Sequence, residues 1–257
     1  MEENLIVERL GHVLVLTLNR PKKLNAMDSA LYIRLTDELR GADKDDDIRA
    51  VVIRGAGTSF CSGADTGEFA ELTPDNTERV EARAGLTYEL HKTIPEISKP
   101  VIGAVHGYTV GGGCGLALAC DITIASANVK MGYPEIKHGL VAAVVMANLT
   151  KQLGRKAGFE LVATGRLVGA EEAAALGMVT RVVPEGEEYT EALKVAQALA
   201  EQIPTSLQAT KRLFHKVADL PLAEGLVRGR EANEEMREYR AEALKDFGAA
   251  VKAAKAG

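Results

Sequence analysis

The chain has no tryptophan, and aromatic residues make up only 4% of its 257 residues. Surfaces that grip single-stranded nucleic acid stack bases on aromatic rings, so that class of function is a poor fit. Lysine and arginine form no long run, and the formal charge is -5. A general binder of phosphate backbones needs the opposite balance, and no nucleic-acid partner is expected. There are three cysteines, Cys61, Cys114 and Cys120. They form no CxxC pair and no Cys/His cluster, which excludes a disulfide framework and a zinc site. They read as buried free thiols in a reducing compartment, with no metal. No apolar run reaches the length of about 20 residues that spans a bilayer. The start, MEENLIVERL, lacks the basic and apolar regions of a signal peptide. The expectation is a cytoplasmic protein with no membrane partner.

Composition is otherwise that of a globular protein, with 46% hydrophobic and 26% charged residues. The length allows one large domain, or one with a small appendage. Leu5–Glu8 and Val13–Leu18 read as a hairpin around Gly11-His12. Residues 19–27 read as a loop, and Asp28 as the cap of a helix that places Leu31, Leu35 and Leu39 on one face. Ala50–Ile53 is a buried strand, followed by a glycine-rich loop and a polar stretch to about Asn76 that is expected to be mobile. Thr77–His91 is helical, and Asp121–Ala125 is another strand. Val179–Val183 is the one clear late strand. Glu187–Gln202, Thr205–Val217 and Leu222–Leu244 read as three helices. Alternating strands and helices predict an α/β core with crossover connections. A core domain over 1–195 and a helical region over 196–257 are expected.

The segment from Pro100 to Asp121 carries the strongest local signal. Val101–Val105 reads as a strand, Gly107–Val110 as a turn, and Cys114–Cys120 as a buried helix preceded by Gly111-Gly112-Gly113. Glycines leave backbone N–H groups uncovered, and a helix start adds unpaired N–H groups with a partial positive charge. Strand, glycine turn and helix make a site for an oxygen that is, or becomes, negative. A tight turn selected for packing alone would look the same. A second glycine segment, Gly55 to Asp65, follows a strand. It fails as a dinucleotide fingerprint, because Phe60 stands where the third glycine belongs. No Gly-Lys-Ser/Thr follows it, so it is not a phosphate-binding P-loop. Ser62 is not in a Gly-x-Ser-x-Gly elbow, which disfavours a serine hydrolase.

Phe60-Cys61-Ser62-Gly63-Ala64-Asp65, Gly107-Tyr108-x-x-Gly111-Gly112-Gly113 and Pro134-Glu135 resemble the signature segments of the crotonase superfamily, the enoyl-CoA hydratase/isomerase group. Asn19-Arg20-Pro21 with Asn25-Ala26, and Thr164-Gly165-Arg166 with Glu171 to Val179, resemble further segments of that family in the same order. The resemblance runs from about residue 5 to 220. It implies an α/β fold, a crotonase-like spiral of ββα repeats with a C-terminal helical trimerisation region, and hence a homotrimer or a dimer of trimers. It implies an acyl-CoA thioester as ligand and no separate cofactor, coenzyme A being part of the substrate. It also implies that the amides of Ser62 and Gly112 form an oxyanion hole. Two fixed donors favour an enolate over the neutral thioester. Lys22, Leu24, Ala26, Ala64, Asp65 and Thr66 match positions lining the coenzyme A channel, and Tyr108, Gly111 and Pro134 complete the substrate-binding set. Lys22 and Lys23 are candidates to neutralise phosphates, with Lys23 as a solvated loop lysine the plainer reading. Asp65 has a structural alternative as a helix cap.

One departure sets the functional expectation. Hydratases of the family carry two glutamates, and the position of the first is Gly115 here. The second is retained as Glu135. Hydration needs one group to activate water and another to deliver a proton, whereas a single carboxylate can move a proton between two carbons. The resemblance therefore implies an enoyl-CoA double-bond isomerase with Ser62, Gly112 and Glu135 as its catalytic residues. The alternatives are an enoyl-CoA hydratase and a CoA-thioester binding protein with little catalysis. Tyr133, His138, His91 and His106 read as structural. The apolar run Leu140–Leu149 reads as a segment that lines or narrows the acyl pocket. Position 141 is Val, which excludes the nucleophilic aspartate of the family's dehalogenases.

Overall fold

A computed structural model describes residues 3–254 apart from residue 74, with side chains described up to residue 237 and at 240, except at 71. The hairpin forms as expected: β1 (Leu5–Leu10) pairs antiparallel with β2 (Val13–Leu18). After α1 (Ser29–Lys44) come β3 (Ala50–Gly55), α2 (Thr77–Glu96) and β4 (Val101–Val105). Asp28 caps α1 by accepting from the Leu31 amide at 2.9 Å. Residues 108–110, read above as turn, are strand β5 (Tyr108–Val110), because their backbone finds β7 (Lys130–Gly132) as a parallel partner. Between them lie α3 (Gly112–Ala119), which starts two residues earlier than read, and β6 (Ile122–Ser126).

The late chain holds more structure than its weak strand signal indicated. α4 (Met146–Thr164), broken at Gly154, β8 (Leu167–Val168), α5 (Ala170–Ala175) and β9 (Arg181–Val183) precede three helices. These are α6 (Glu188–Ala200), α7 (Pro204–Val217) and α8 (Leu222–Ala254). The boundary expected at 195 falls inside α6, which belongs to the core. Its Ala192, Ala196 and Ala200 pack with Val13, Val15, Val52, Ile102 and Ile124 on one face of the sheet.

One sheet runs β1-β2-β3-β4-β6-β9, parallel except for β1, and the other runs β5-β7-β8. The inner strands β2, β3 and β4 are buried along nearly their whole length, as parallel strands covered by helices must be. Residues 14, 16 and 18 point to the main core with Leu31, Leu35 and Leu39 of α1, while 13 and 15 point to α6. Two isolated parallel bridges, Cys61 with Thr109 and Met27 with Ala64, extend the second sheet back along the chain. The chain thus repeats one unit: a strand in the first sheet, a short extended pairing in the second, then a helix. That repeat stacks the loops at Met27, Cys61–Ala64, Tyr108–Val110 and Lys130–Gly132 side by side.

Candidate active site

The pairing of these loops decides which amides are free. The Cys61 amide donates to Tyr108 O at 3.1 Å, and Cys61 O accepts from Val110 N at 3.0 Å. Extended backbone alternates the direction of its polar groups, so the Ser62 amide turns to the other neighbour and donates to Leu24 O at 2.9 Å. This corrects the expectation for Ser62: its amide is already used and is no oxyanion donor. At the next residue, Gly63 O accepts from Met27 N at 2.7 Å, and Asp65 N donates to Met27 O at 3.0 Å. Ala64, between them, directs its own N–H away from Met27, and no backbone acceptor among the described residues takes it.

The Gly112 amide is the first of α3, where no intrahelical acceptor exists. The two glycine turns touch at this point. A Cβ on Gly63, whose φ is +96°, would sit 3.2 Å from Gly112 N and 3.1 Å from Val110 O. Only glycine lets the turns approach so closely.

Glu135 stands beside the same turn. Its Oε1 lies 3.0 Å from where a Cβ of Gly111 would be, in the short helical turn Pro134–His138. Its Oε2 is buried without a hydrogen-bond partner. Burial holds its carboxyl above the ordinary glutamate range, a shift reduced by its own backbone hydrogen bond and by nearby His138. Tyr133 is fully buried with Cys114 as its neighbour, while His138 is exposed.

The space at Gly115, where the resemblance implied a second glutamate in hydratases, is filled. A Cβ on Gly115 would meet Val145 Cγ1 at 2.4 Å and His91 Cε1 at 2.9 Å. Val145 belongs to the apolar run expected to narrow a pocket, and it is buried. His91, read above as structural, is one of the two side chains that fill this space. It lies 24 positions before Gly115, and no local pattern marks it.

The early loop is held by polar groups that sequence spacing did not rank. Buried Asn25 receives the Arg20 amide on Oδ1 at 2.8 Å and donates to Ala56 O and Ser59 O, both at 2.8 Å. Asp65 is the structural group that its alternative reading described. It caps the turn Thr66–Glu71 through Gly67 N and pairs with Arg20 at 2.7 Å and Lys23 at 2.9 Å. Lys23 is therefore ion-paired rather than simply solvated. The Lys23 ammonium and then the Arg20 guanidinium hold the Asp65 carboxyl well below the usual range. Glu68 ties the polar stretch, expected to be mobile, to α1 and α2 through Ser29 N at 2.9 Å and Arg83 at 3.0 Å. Lys22, Leu24 and Thr66 are exposed and Ala26 is buried. Tyr108 is exposed with Lys130 5.4 Å from its ring centroid, and Pro134 is half-buried next to Glu135.

Among the described residues no group of three or more His, Cys, Asp or Glu could hold a metal, and no helix is long and apolar enough to cross a membrane. The three thiols are buried, and burial pushes Cys61 and Cys114 up to about 12, so neither is a nucleophile at neutral pH.

The family model for enoyl-CoA hydratase/isomerase matches residues 8–247. The 2,3-dehydroadipyl-CoA hydratase of Escherichia coli is 35% identical, with 88% of each chain covered. The short-chain-enoyl-CoA hydratase of Clostridium acetobutylicum is 33% identical, covering 83% of this chain and 81% of that one. The crystal structure of enoyl-CoA hydratase from Bacillus anthracis superposes with a TM-score of 0.89 at 29% identity over 96% of both chains. The repeat of strand, extended pairing and helix is thus the crotonase fold, and the chain belongs to the enoyl-CoA hydratase/isomerase family.

Proposed function

We propose that this chain binds an acyl-CoA thioester, stabilises its enolate with the amides of Ala64 and Gly112, and uses Glu135 as the sole carboxylate to move a proton. The observation that carries this is the placement of Glu135. A buried, unpartnered carboxylate oxygen adjoins the turn that leads into the free Gly112 amide. As charge develops on the thioester oxygen, the two amides bind it more strongly than they bind the neutral carbonyl. Glu135 takes the proton from the carbon next to the thioester and returns it two carbons along, which shifts the double bond. The raised pKa suits a group that must both accept and give up that proton. Coenzyme A enters as part of the substrate, and no further cofactor is needed.

Hydration is the second reading, favoured by the names of the relatives. Against it stands Gly115, whose surroundings leave no room for a second carboxylate. Assembly as a homotrimer or dimer of trimers fits the apolar exposure of Phe214, Leu222 and Leu226 on α7 and α8, and sedimentation would measure it. The deciding experiment presents a 3-enoyl-CoA and a 2-enoyl-CoA of one length to wild type and Glu135→Gln. Conversion of the 3-enoyl thioester, slowed at least about 100-fold in the variant, is expected. Unchanged turnover in Glu135→Gln removes this carboxylate from the mechanism. Fast hydration of the 2-enoyl thioester with no double-bond shift overturns the isomerase reading.

A further inference from the structure

Arg83 lies in α2 and is only 7% exposed. A buried guanidinium loses the hydration of a permanent charge, so its contacts must offset that loss. One carboxylate serves it: Glu68 Oε2 accepts from Nε at 3.0 Å. The rest of the group turns to other partners. Nη1 donates to Thr87 Oγ1 at 3.1 Å, and Nη2 donates to Met27 O at 3.2 Å. Its Cζ lies 4.3 Å from the centroid of the Tyr32 ring.

Met27 and Tyr32 are the neighbours of the two amides assigned above. Met27 N donates to Gly63 O at 2.7 Å, and Met27 O accepts from Asp65 N at 3.0 Å. Those bonds grip the residues on either side of Ala64. A carbonyl oxygen has two lone pairs, and Arg83 takes the second one on Met27. Tyr32 is 1% exposed. Its hydroxyl oxygen lies 3.1 Å from where a Cβ of Gly112 would be, and Met27 Cε lies 3.7 Å from the same point. One planar cation thus donates from its edge to the residue that grips Ala64. With its face it stacks on the residue that backs Gly112. Arginine can do both at once, and lysine cannot.

We propose that Arg83 is a positioning residue, acting through Met27 and Tyr32 to fix the amides of Ala64 and Gly112 relative to each other. This rests on the oxyanion reading above and deepens it. Donors held at a fixed spacing need no reorganisation as charge develops on the thioester oxygen. An arginine that served only to pair with Glu68 would add stability without setting that spacing.

The test is isotope-edited infrared spectroscopy of a saturated acyl-CoA, labelled with carbon-13 at the thioester carbonyl and bound to the whole chain. A saturated thioester undergoes no double-bond shift, so the bound state is read without turnover. Hydrogen bonds to a carbonyl oxygen lower its stretching frequency, and wild type is expected to lower it relative to free ligand. Arg83→Met should lose most of that lowering at nearly unchanged Kd. Its kcat on a 3-enoyl-CoA should fall by up to about 100-fold, the effect of misplacing a group by ~1 Å. Arg83→Lys keeps the charge against Glu68 and guards against a variant that fails to fold. It should retain less of the lowering than wild type, because an ammonium has no plane to stack on Tyr32. Full lowering in Arg83→Met or in Arg83→Lys overturns the positioning role and leaves the oxyanion reading standing. No lowering in wild type removes the amide pair, and the role of Arg83 with it. Lowering that is lost in Arg83→Met, with no conversion of any 3-enoyl thioester, sustains the role while the isomerase reading falls.

Discussion

Val145 Cγ1 lies 2.4 Å from the position a Cβ on Gly115 would take. A side chain at residue 115 therefore collides with a buried valine before it can reach anything else. Glutamate at this position therefore fits only if Val145 moves. Gly115→Glu should lower stability by about 1–3 kcal/mol through overpacking, with a buried charge adding to it. The double variant Gly115→Glu/Val145→Gly should recover part of that loss. Thermal unfolding of the four proteins checks it, and a stable Gly115→Glu single variant would show that the valine yields freely.

The raised pKa of Glu135 has a signed consequence. Burial penalises its charged form, so the folded state holds the proton above the ordinary value of about 4.3. Folding is therefore penalised as pH rises through the folded pKa. Glu135→Gln should match wild type in acid and exceed it in stability at neutral pH, while losing activity. In wild type, kcat/KM should rise with pH along a limb above the normal glutamate range if Glu135 is the base proposed above, because a base must be ionised. A limb near 4 would show that substrate-free Glu135 is solvated.

Asp65 behaves in the opposite sense. Lys23 and Arg20 hold its carboxyl low, so its contribution is present above about pH 4 and is lost as acid titrates it. Asp65→Asn should cost about 1–3 kcal/mol at pH 7. The gap between variant and wild type should narrow below pH 4. Urea unfolding at several pH values reads this directly, and a gap independent of pH would reduce Asp65 to its bond with Gly67.

Asn25 joins three backbone groups while holding a left-handed φ of 56°. Asn25→Gly keeps the backbone geometry but strands the three groups, and should cost about 2–3 kcal/mol. Asn25→Ala should cost about 1 kcal/mol more, since a Cβ without a local hydrogen bond is disfavoured there. Equal losses in the two variants would mean that the backbone conformation contributes nothing. A raised KM for the thioester should accompany both, because the loop carries Leu24, the acceptor of the Ser62 amide.

Much of this was legible along the chain. The glycine turn ahead of α3, the cap at Asp28, the inward face of α1 and the retained Glu135 are local facts, set by backbone freedom, capping and periodicity within a few residues. The glycine at position 115 was equally plain. Tertiary structure decided three things that no local rule reaches. Strand pairing between loops 35 and more residues apart determined that Ser62 N meets Leu24 O and that Ala64 N does not meet Met27. Strands β5 and β7 exist because each supplies the other's acceptors, not because three residues prefer to extend. The occupant of the space at Gly115 comes from two distant segments, α2 and the chain before α4, which only packing brings together. Hydrogen bonds and van der Waals contacts act over a few ångströms in space, whereas capping and periodicity act over a few residues in sequence, and the site is built from both.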